Sequence, residues 1–307
     1  MCRALAYLGQ PVLLDHLLYG PDNSLVTQTY MPKMLRMLNL AGFGLNAWDL
    51  TSYDPETPFS YVSTSLPIFD RNLKGLAQKL KASCVLAHVR GVAYSPDVEI
   101  APQNVHPFHF RDTKLWMAHN GDLVRFREMK PHLLEYIPAP IAQCINGTTD
   151  SEWIYALLLA QLKDPTVSPQ VEEITRAVEK TLDILHHVRQ RCDITVSSFV
   201  NLFITTGVEV VAVRYCFDFG CYETDTASLH DPNFSFLSLW YTCGVEYGSY
   251  AGEWKMIGGS DVADSIMIAS EPLTRDTTAW LEVPEYSLLY ADMRSGRRMV
   301  EIRDLAR

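Results

Sequence analysis

The sequence predicts a layered α+β fold, with two β-sheets stacked and helices packed outside them. Three observations carry that expectation. Short, continuous apolar runs suited to buried strands recur up to His119 and again from Ser197 onward. Two stretches with helical spacing of apolar residues lie between them. No apolar run approaches the roughly 20 residues that a membrane helix needs.

Taken in order, Cys2 to Gly9 reads as the first buried strand, closed by the turn residues Gln10 and Pro11. Pro21 to Pro32 is polar and turn-rich. Gly42 to Trp48 alternates small and apolar residues, as a strand does where backbones approach closely. Tyr53 to Pro67 holds three prolines among Ser and Thr and reads as a surface loop. Asn72 to Leu80 has helical spacing, and Cys84 to Val89 reads as a buried strand. Gly91 to Phe110 is a long loop, a kind of segment that is often functional inside a compact domain. Lys114 to His119 resumes as a strand, and Asn120-Gly121 after it is a strong turn signal.

The helical stretches follow. Asp150 to Leu162 has Thr148 and Thr149 as candidate caps. Ser168 to Arg191 keeps its period through Val171, Ile174, Val178, Leu182 and Leu185. Ser197 to Thr206 and Val208 to Cys216 form a hairpin through Gly207. Phe236 to Cys243, Ser265 to Ala269 and Tyr286 to Ala291 are the last expected strands. No shift of composition divides the chain, so one domain spanning 1–307 is expected.

Composition narrows the function classes. Hydrophobic residues make up 48% and charged residues 20%, an ordinary globular balance. With 26 basic and 36 acidic side chains the net charge is −10, which repels nucleic acid and anionic membranes. The opening apolar segment is too short for a secretory signal. The seven cysteines are scattered, with neither a disulfide framework nor paired metal-ligand spacing. A cytoplasmic protein with reduced core cysteines is expected. The C-terminal Arg294, Arg297, Arg298, Arg303 and Arg307 are interleaved with acids and read as a solvated end, or else as a homo-oligomer interface.

Cys2 is the leading candidate for chemistry. Removal of Met1 would leave a thiol and a free α-amine on one residue, groups that titrate near about 8.5 and about 8. The amine can then serve as general base for its own side chain. Arg90 closes a buried strand and offers a planar fork for a carboxylate. Asn120 beside the Gly121 N–H makes a two-donor oxyanion hole. Asp150, at the start of a helix, could cap it or hold an ammonium. Each feature alone has a plainer explanation: a chance dipeptide, a salt bridge, a turn, a cap.

Their order is more specific. Cys2-Arg3, His88-Val89-Arg90, Asn104-Val105-His106-Pro107-Phe108, Met117-Ala118-His119-Asn120-Gly121 and Thr148-Thr149-Asp150-Ser151-Glu152 follow one another, with Ala269-Ser270-Glu271-Pro272-Leu273 near the end. This set resembles the class II glutamine amidotransferases of the N-terminal-nucleophile hydrolase superfamily. The nearer resemblance is to the stand-alone branch of γ-glutamyl hydrolases and glutathione-degrading proteins, and it covers nearly the whole chain. It implies a four-layer α-β-β-α sandwich, with Cys2 as mature N-terminus and nucleophile. Asn120 and Gly121 would hold the oxyanion, Arg90 the glutamyl α-carboxylate and Asp150 its ammonium, with Thr149 on the substrate side. His106 would order the loop at the substrate, and His119 would be structural.

Many relatives carry an acidic residue where this chain has Ala41. The implied reaction is hydrolysis of a γ-glutamyl amide through a thioester, with no metal or organic cofactor. No phosphate-binding loop remains to host an acceptor reaction. The alternatives are a glutaminase subunit feeding ammonia to a separate synthase, a choloylglycine-type amidase, and a non-catalytic glutamyl-binding protein. The paired Arg90 and Asp150 suit a zwitterion and disfavour the bile-salt reading.

Overall fold

The computed structural model describes residues 2–34, 37–92, 98–221, 236–258, 263–292 and 300–306. Its first half contains β1 (Arg3–Leu13), α1 (Leu14–Leu18), β2 (Phe43–Trp48), β3 (Phe59–Ser63), α2 (Arg71–Ala77), β4 (Lys81–Val89), β5 (Trp116–Asp122), α3 (Phe126–Leu133) and α4 (Ala139–Ala142). Then come α5 (Asp150–Ala160), α6 (Val171–Arg191), β6 (Ser198–Thr205), β7 (Glu209–Phe217), β8 (Trp240–Gly244), β9 (Glu246–Tyr250) and β10 (Glu253–Ile257). β11 (Ser265–Ala269), β12 (Leu281–Glu282), β13 (Ser287–Asp292) and β14 (Val300–Asp304) complete the chain.

Side-chain alternation along β1 sets the layering. Leu5 and Tyr7 pack with α1 and α2, while Ala4, Ala6 and Leu8 pack against the other sheet, because successive strand residues leave on opposite faces. β1 lies inside a seven-stranded sheet of order β12-β8-β11-β1-β4-β2-β3. The second sheet has the order β14-β13-β7-β6-β5, and β9 and β10 form a separate hairpin. Ala6, Leu86, Ala118, Phe203 and Ala212 fill the space between the sheets. Met129, Ile154, Leu158, Ile174 and Leu185 cover the outer face of the five-stranded sheet. The result is the expected α-β-β-α sandwich. α5 is buried from Ser151 to Leu159, because α3, α4, α6 and β5 surround it.

Several local expectations are corrected. β1 runs through Gln10-Pro11 to Leu13, with its register to β4 shifting between Leu8 and Val12. The Pro-rich 53–67 stretch contains β3, an outer strand with Phe59 and Val62 exposed. Asn120-Gly121 is not a turn: both residues lie inside β5, opposite Asn201 and Val200. Tertiary pairing overrides the dipeptide's turn preference there. α3 was not expected, being short and interrupted by Pro131. The hairpin β9–β10 and the short strands β12 and β14 went unread as well.

All seven cysteines are free. Cys2, Cys84 and Cys216 are buried, Cys144, Cys192 and Cys243 are half-buried, and Cys221 is exposed, so the core expectation holds for three. Among the described residues no helix is long and apolar enough to cross a membrane. Arg303 pairs with Glu301 at 2.8 Å at a partly solvated end, while Arg294, Arg297, Arg298 and Arg307 lie outside the described residues.

Candidate active site

The site forms where one end of β1 meets β4 and β5 across the inter-sheet layer. Cys2 shares its parity with Ala4 and Ala6 and therefore points between the sheets. Its Sγ accepts the Gly91 N–H at 3.4 Å and lies 3.5 Å from the Gly91 carbonyl. Burial pushes the thiol up, against the pull of the Gly91 N–H and Arg90. The resting residue is a neutral thiol.

Asn120 faces the same space from β5, as do Trp116 and Ala118. Its Nδ2 donates to Ser270 Oγ at 3.0 Å, and that hydroxyl also accepts the Ala4 N–H at 3.0 Å. Ser270 therefore ties the Asn120 amide to the backbone two residues beyond the thiol. β5 is the last strand of its sheet, and Met117 exchanges both its backbone bonds with Phe108 on that open edge, at 2.8 and 3.1 Å. The two-residue period puts the Gly121 N–H on the same edge, directed away from β6. A Cβ at Gly121 would stand 1.9 Å from the Phe199 carbonyl oxygen. A side chain has no room there.

The charged pair comes from two other elements. Arg90 follows β4, is buried, and donates from Nη1 to the Glu99 carbonyl at 2.9 Å. Burial pulls its guanidinium down, while Cys2, Asp150 and Glu99 act against that shift. Asp150 opens α5. Its Oδ2 accepts the Leu123 N–H at 2.7 Å, and its Oδ1 accepts the N–H of Ser151 at 2.7 Å and its hydroxyl at 3.1 Å. Burial pushes this carboxyl up, and those donors with Arg90 pull it back. Asn104 joins the two supports, since its Nδ2 reaches the Glu99 carbonyl at 3.3 Å and its Oδ1 accepts the Thr148 N–H at 2.8 Å.

Thr149 caps α5, its Oγ1 accepting the Glu152 N–H at 3.3 Å, so this hydroxyl has a structural task. His106 stands edge-on against His88 at 4.0 Å between ring centroids and against Phe108 at 4.6 Å. His119 is held by Ser151 Oγ at 2.9 Å and the Phe199 carbonyl at 3.3 Å, with its titration pushed down to about 4 by burial. Burial likewise pushes His88 and His106 well down, so all three imidazoles are neutral at pH 7. Ala41, at the departure from the usual acidic pattern, is buried and donates its backbone N–H to the Arg90 carbonyl at 2.9 Å.

Sequence reasoning assigned no role to Ser270, His88, Glu271 or Asp122. Glu271 pairs with Arg3 at 3.4 Å, and Arg3 Nη1 donates to the Cys2 carbonyl at 2.9 Å. Asp122 lies two residues past Asn120 on the same parity with its side chain exposed, and crowding by neighbouring atoms together with the Asp150 charge pushes its carboxyl up to about 6. The parity of β5 was the available signal for Asp122. A cavity of about 700 Å³ lined by Tyr7, Gln10, His16, Lys81 and Tyr247 lies toward the other end of β1 and holds none of these groups.

Comparison with known proteins identifies the family. The family model described as glutamine amidotransferases class-II matches residues 39–223. A Saccharomyces cerevisiae protein named probable glutamine amidotransferase DUG3 is 30% identical, covering 94% of this chain and 81% of its own. The gamma-glutamyl-hercynylcysteine sulfoxide hydrolase of Mycolicibacterium smegmatis is 27% identical over 52% of this chain and 63% of its own. Among solved structures, a glutamine aminotransferase class-II domain protein from Silicibacter pomeroyi superposes with a TM-score of 0.60, at 18% identity over the full length of both chains. The chain thus belongs to the class-II glutamine amidotransferases, enzymes of the N-terminal-nucleophile amidohydrolase type.

Proposed function

We propose that this enzyme hydrolyses a γ-glutamyl amide, either glutamine or a γ-glutamyl conjugate, through a thioester on Cys2. The observation that carries the reading is a buried Cys2 thiol within the electrostatic reach of both Arg90 and Asp150, with the Asn120 amide tied through Ser270 to the backbone of Ala4. Met1 is removed, and the freed α-amine takes the thiol proton. The thiolate attacks the side-chain amide carbon, and the oxyanion is held by the second N–H of Asn120 Nδ2 and by the Gly121 N–H. Collapse returns the proton to the leaving amine and forms the thioester. Water, deprotonated by the same amine, then releases glutamate and restores the thiol.

Arg90 binds the α-carboxylate in this scheme and Asp150 the α-ammonium, so the glutamyl group is held by charges at opposite sides. Thr149 acts by fixing the first turn that carries Asp150, and His106 by ordering the loop beside the nucleophile. The hydrolase relative's name supports a γ-glutamyl conjugate as substrate. Intact-mass measurement before and after treatment with the glutamine analogue 6-diazo-5-oxo-norleucine tests the reading. The expected result is loss of Met1 and a single adduct on Cys2, absent in Cys2→Ala. Retained Met1 or an unlabelled Cys2 overturns it.

A further inference from the structure

Two imidazoles stand beside Cys2 that take no part in the bond-making of the proposed amide chemistry. The Cys2 sulfur and one ring nitrogen from each of His88 and His106 lie within 4.8 Å of one another, and all three residues are buried. They come from separate parts of the chain. Ala4 pairs with His88 across the β1–β4 ladder, which sets Cys2 and His88 on the same face. Gly44 pairs with His88 from the other side, and a Cβ there would stand 1.9 Å from the His106 carbonyl oxygen. That absent side chain lets the loop lie across β2 with His106 over His88. His106 Nδ1 is 2.8 Å from His88 Nε2, while His106 Nε2 is buried with no hydrogen-bond partner.

One thiolate and two imidazoles are a donor set that favours zinc and similar borderline-soft cations over magnesium or calcium. Tetrahedral bonds of about 2.0–2.3 Å place such ligands about 3.3–3.6 Å apart. The three ligand atoms lie within 4.8 Å of one another, so side-chain adjustments on the order of 1 Å would bring them to that spacing around one ion. We propose that Cys2, His88 and His106 form a zinc-class site in which a metal ion competes with the amide substrate for the nucleophile. Binding replaces the Sγ–H bond with an Sγ–metal bond and releases the proton to solvent, with no change of oxidation state. On the mature chain the Cys2 α-amine supplies a fourth ligand, closing a five-membered chelate and occupying the general base as well. The ion site rests on geometry alone, whereas the inhibition rests on Cys2 being the nucleophile.

Titration of the purified protein with Co²⁺, followed by its absorption spectrum, tests the site without reference to activity. The expected result is a thiolate-to-cobalt charge-transfer band and intense tetrahedral visible bands, saturating at one equivalent and displaced by Zn²⁺. Cys2→Ser abolishes the charge-transfer band. His88→Gln, which keeps a donor for the His119 carbonyl, raises the half-saturating metal concentration by about tenfold or more. His106→Gln does the same where His88→Gln fails to fold. A wild-type protein without the band, or a band that survives Cys2→Ser, overturns the site. Zn²⁺ then inhibits glutamine hydrolysis in wild type, EDTA reverses it, and His88→Gln hydrolyses glutamine with reduced zinc sensitivity. A cobalt site lost in the variants, combined with hydrolysis indifferent to Zn²⁺, leaves the ion site standing but overturns the competition and the assignment of Cys2 as nucleophile.

Discussion

Asn120 spends one amide N–H on Ser270, which fixes its orientation, and in the proposed mechanism the second N–H meets the developing oxyanion. Asn120→Ala is therefore expected to lower kcat on glutamine by about 100- to 1,000-fold with little change in KM. Ser270→Ala keeps the donor but removes its anchor and should cost about tenfold, so steady-state kinetics of the two variants separate donation from positioning. Asp122 makes a prediction of opposite sign. Its native pKa of about 6 lies above the ordinary 3.8. Ionising it therefore costs stability, a penalty that solvent screens at this exposed side chain and that is absent below the ordinary value and greatest above the native one. Asp122→Asn should raise Tm slightly near about pH 8 and leave it unchanged near about pH 4, as thermal unfolding at the two pH values would read. Asn120 and Gly121 were singled out in the sequence by residue type. Asp122 was not, because its meaning depends on a neighbour from a different element.

At the scale of elements, Thr149 is a residue whose local chemistry was read correctly as a cap. Thr149→Ala should cost about 1 kcal/mol of stability, with Thr149→Ser restoring most of it. Because Asp150 is the first residue of that helix, the same variant should raise KM for glutamine, and a variant that lost stability with KM unchanged would detach Asp150 from the substrate. The long amphipathic α6 was legible because its apolar period continues from Ile174 to Val188. β3 and α3 were not, since prolines interrupt or flank both and neither is long enough to average the noise out. Asn120-Gly121 failed as a turn for a definite reason. Pairing with β6 along the whole of β5 holds those two residues extended, and local preference of a few tenths of a kcal/mol does not oppose a ladder.

For the molecule as a whole, the buried Arg3–Glu271 pair ties the start of the chain to its last third. Glu271 also accepts from Asn23 Nδ2 at 2.9 Å and from the backbone N–H groups of Lys33 and Met34 at 3.0 and 2.9 Å. Glu271→Gln removes the carboxylate that faces the buried Arg3 guanidinium at 3.4 Å and should cost about 3–5 kcal/mol, measured by urea unfolding. Adding Arg3→Met should recover part of that loss, because the buried charge goes with it. By itself the sequence determined the strands and helices whose period is long and regular. It also supplied a set of residues whose chemistry suits a glutamyl amide. Only the tertiary structure decided that Cys2, His88, Asn120 and Ser270 meet at one end of the inter-sheet layer, and that Asp122 lies within the field of Asp150. Periodicity reports which face a residue takes on its own strand. Which strands become neighbours, in what register and across which layer, is settled by long-range pairing and packing, and those contacts leave no local pattern to read.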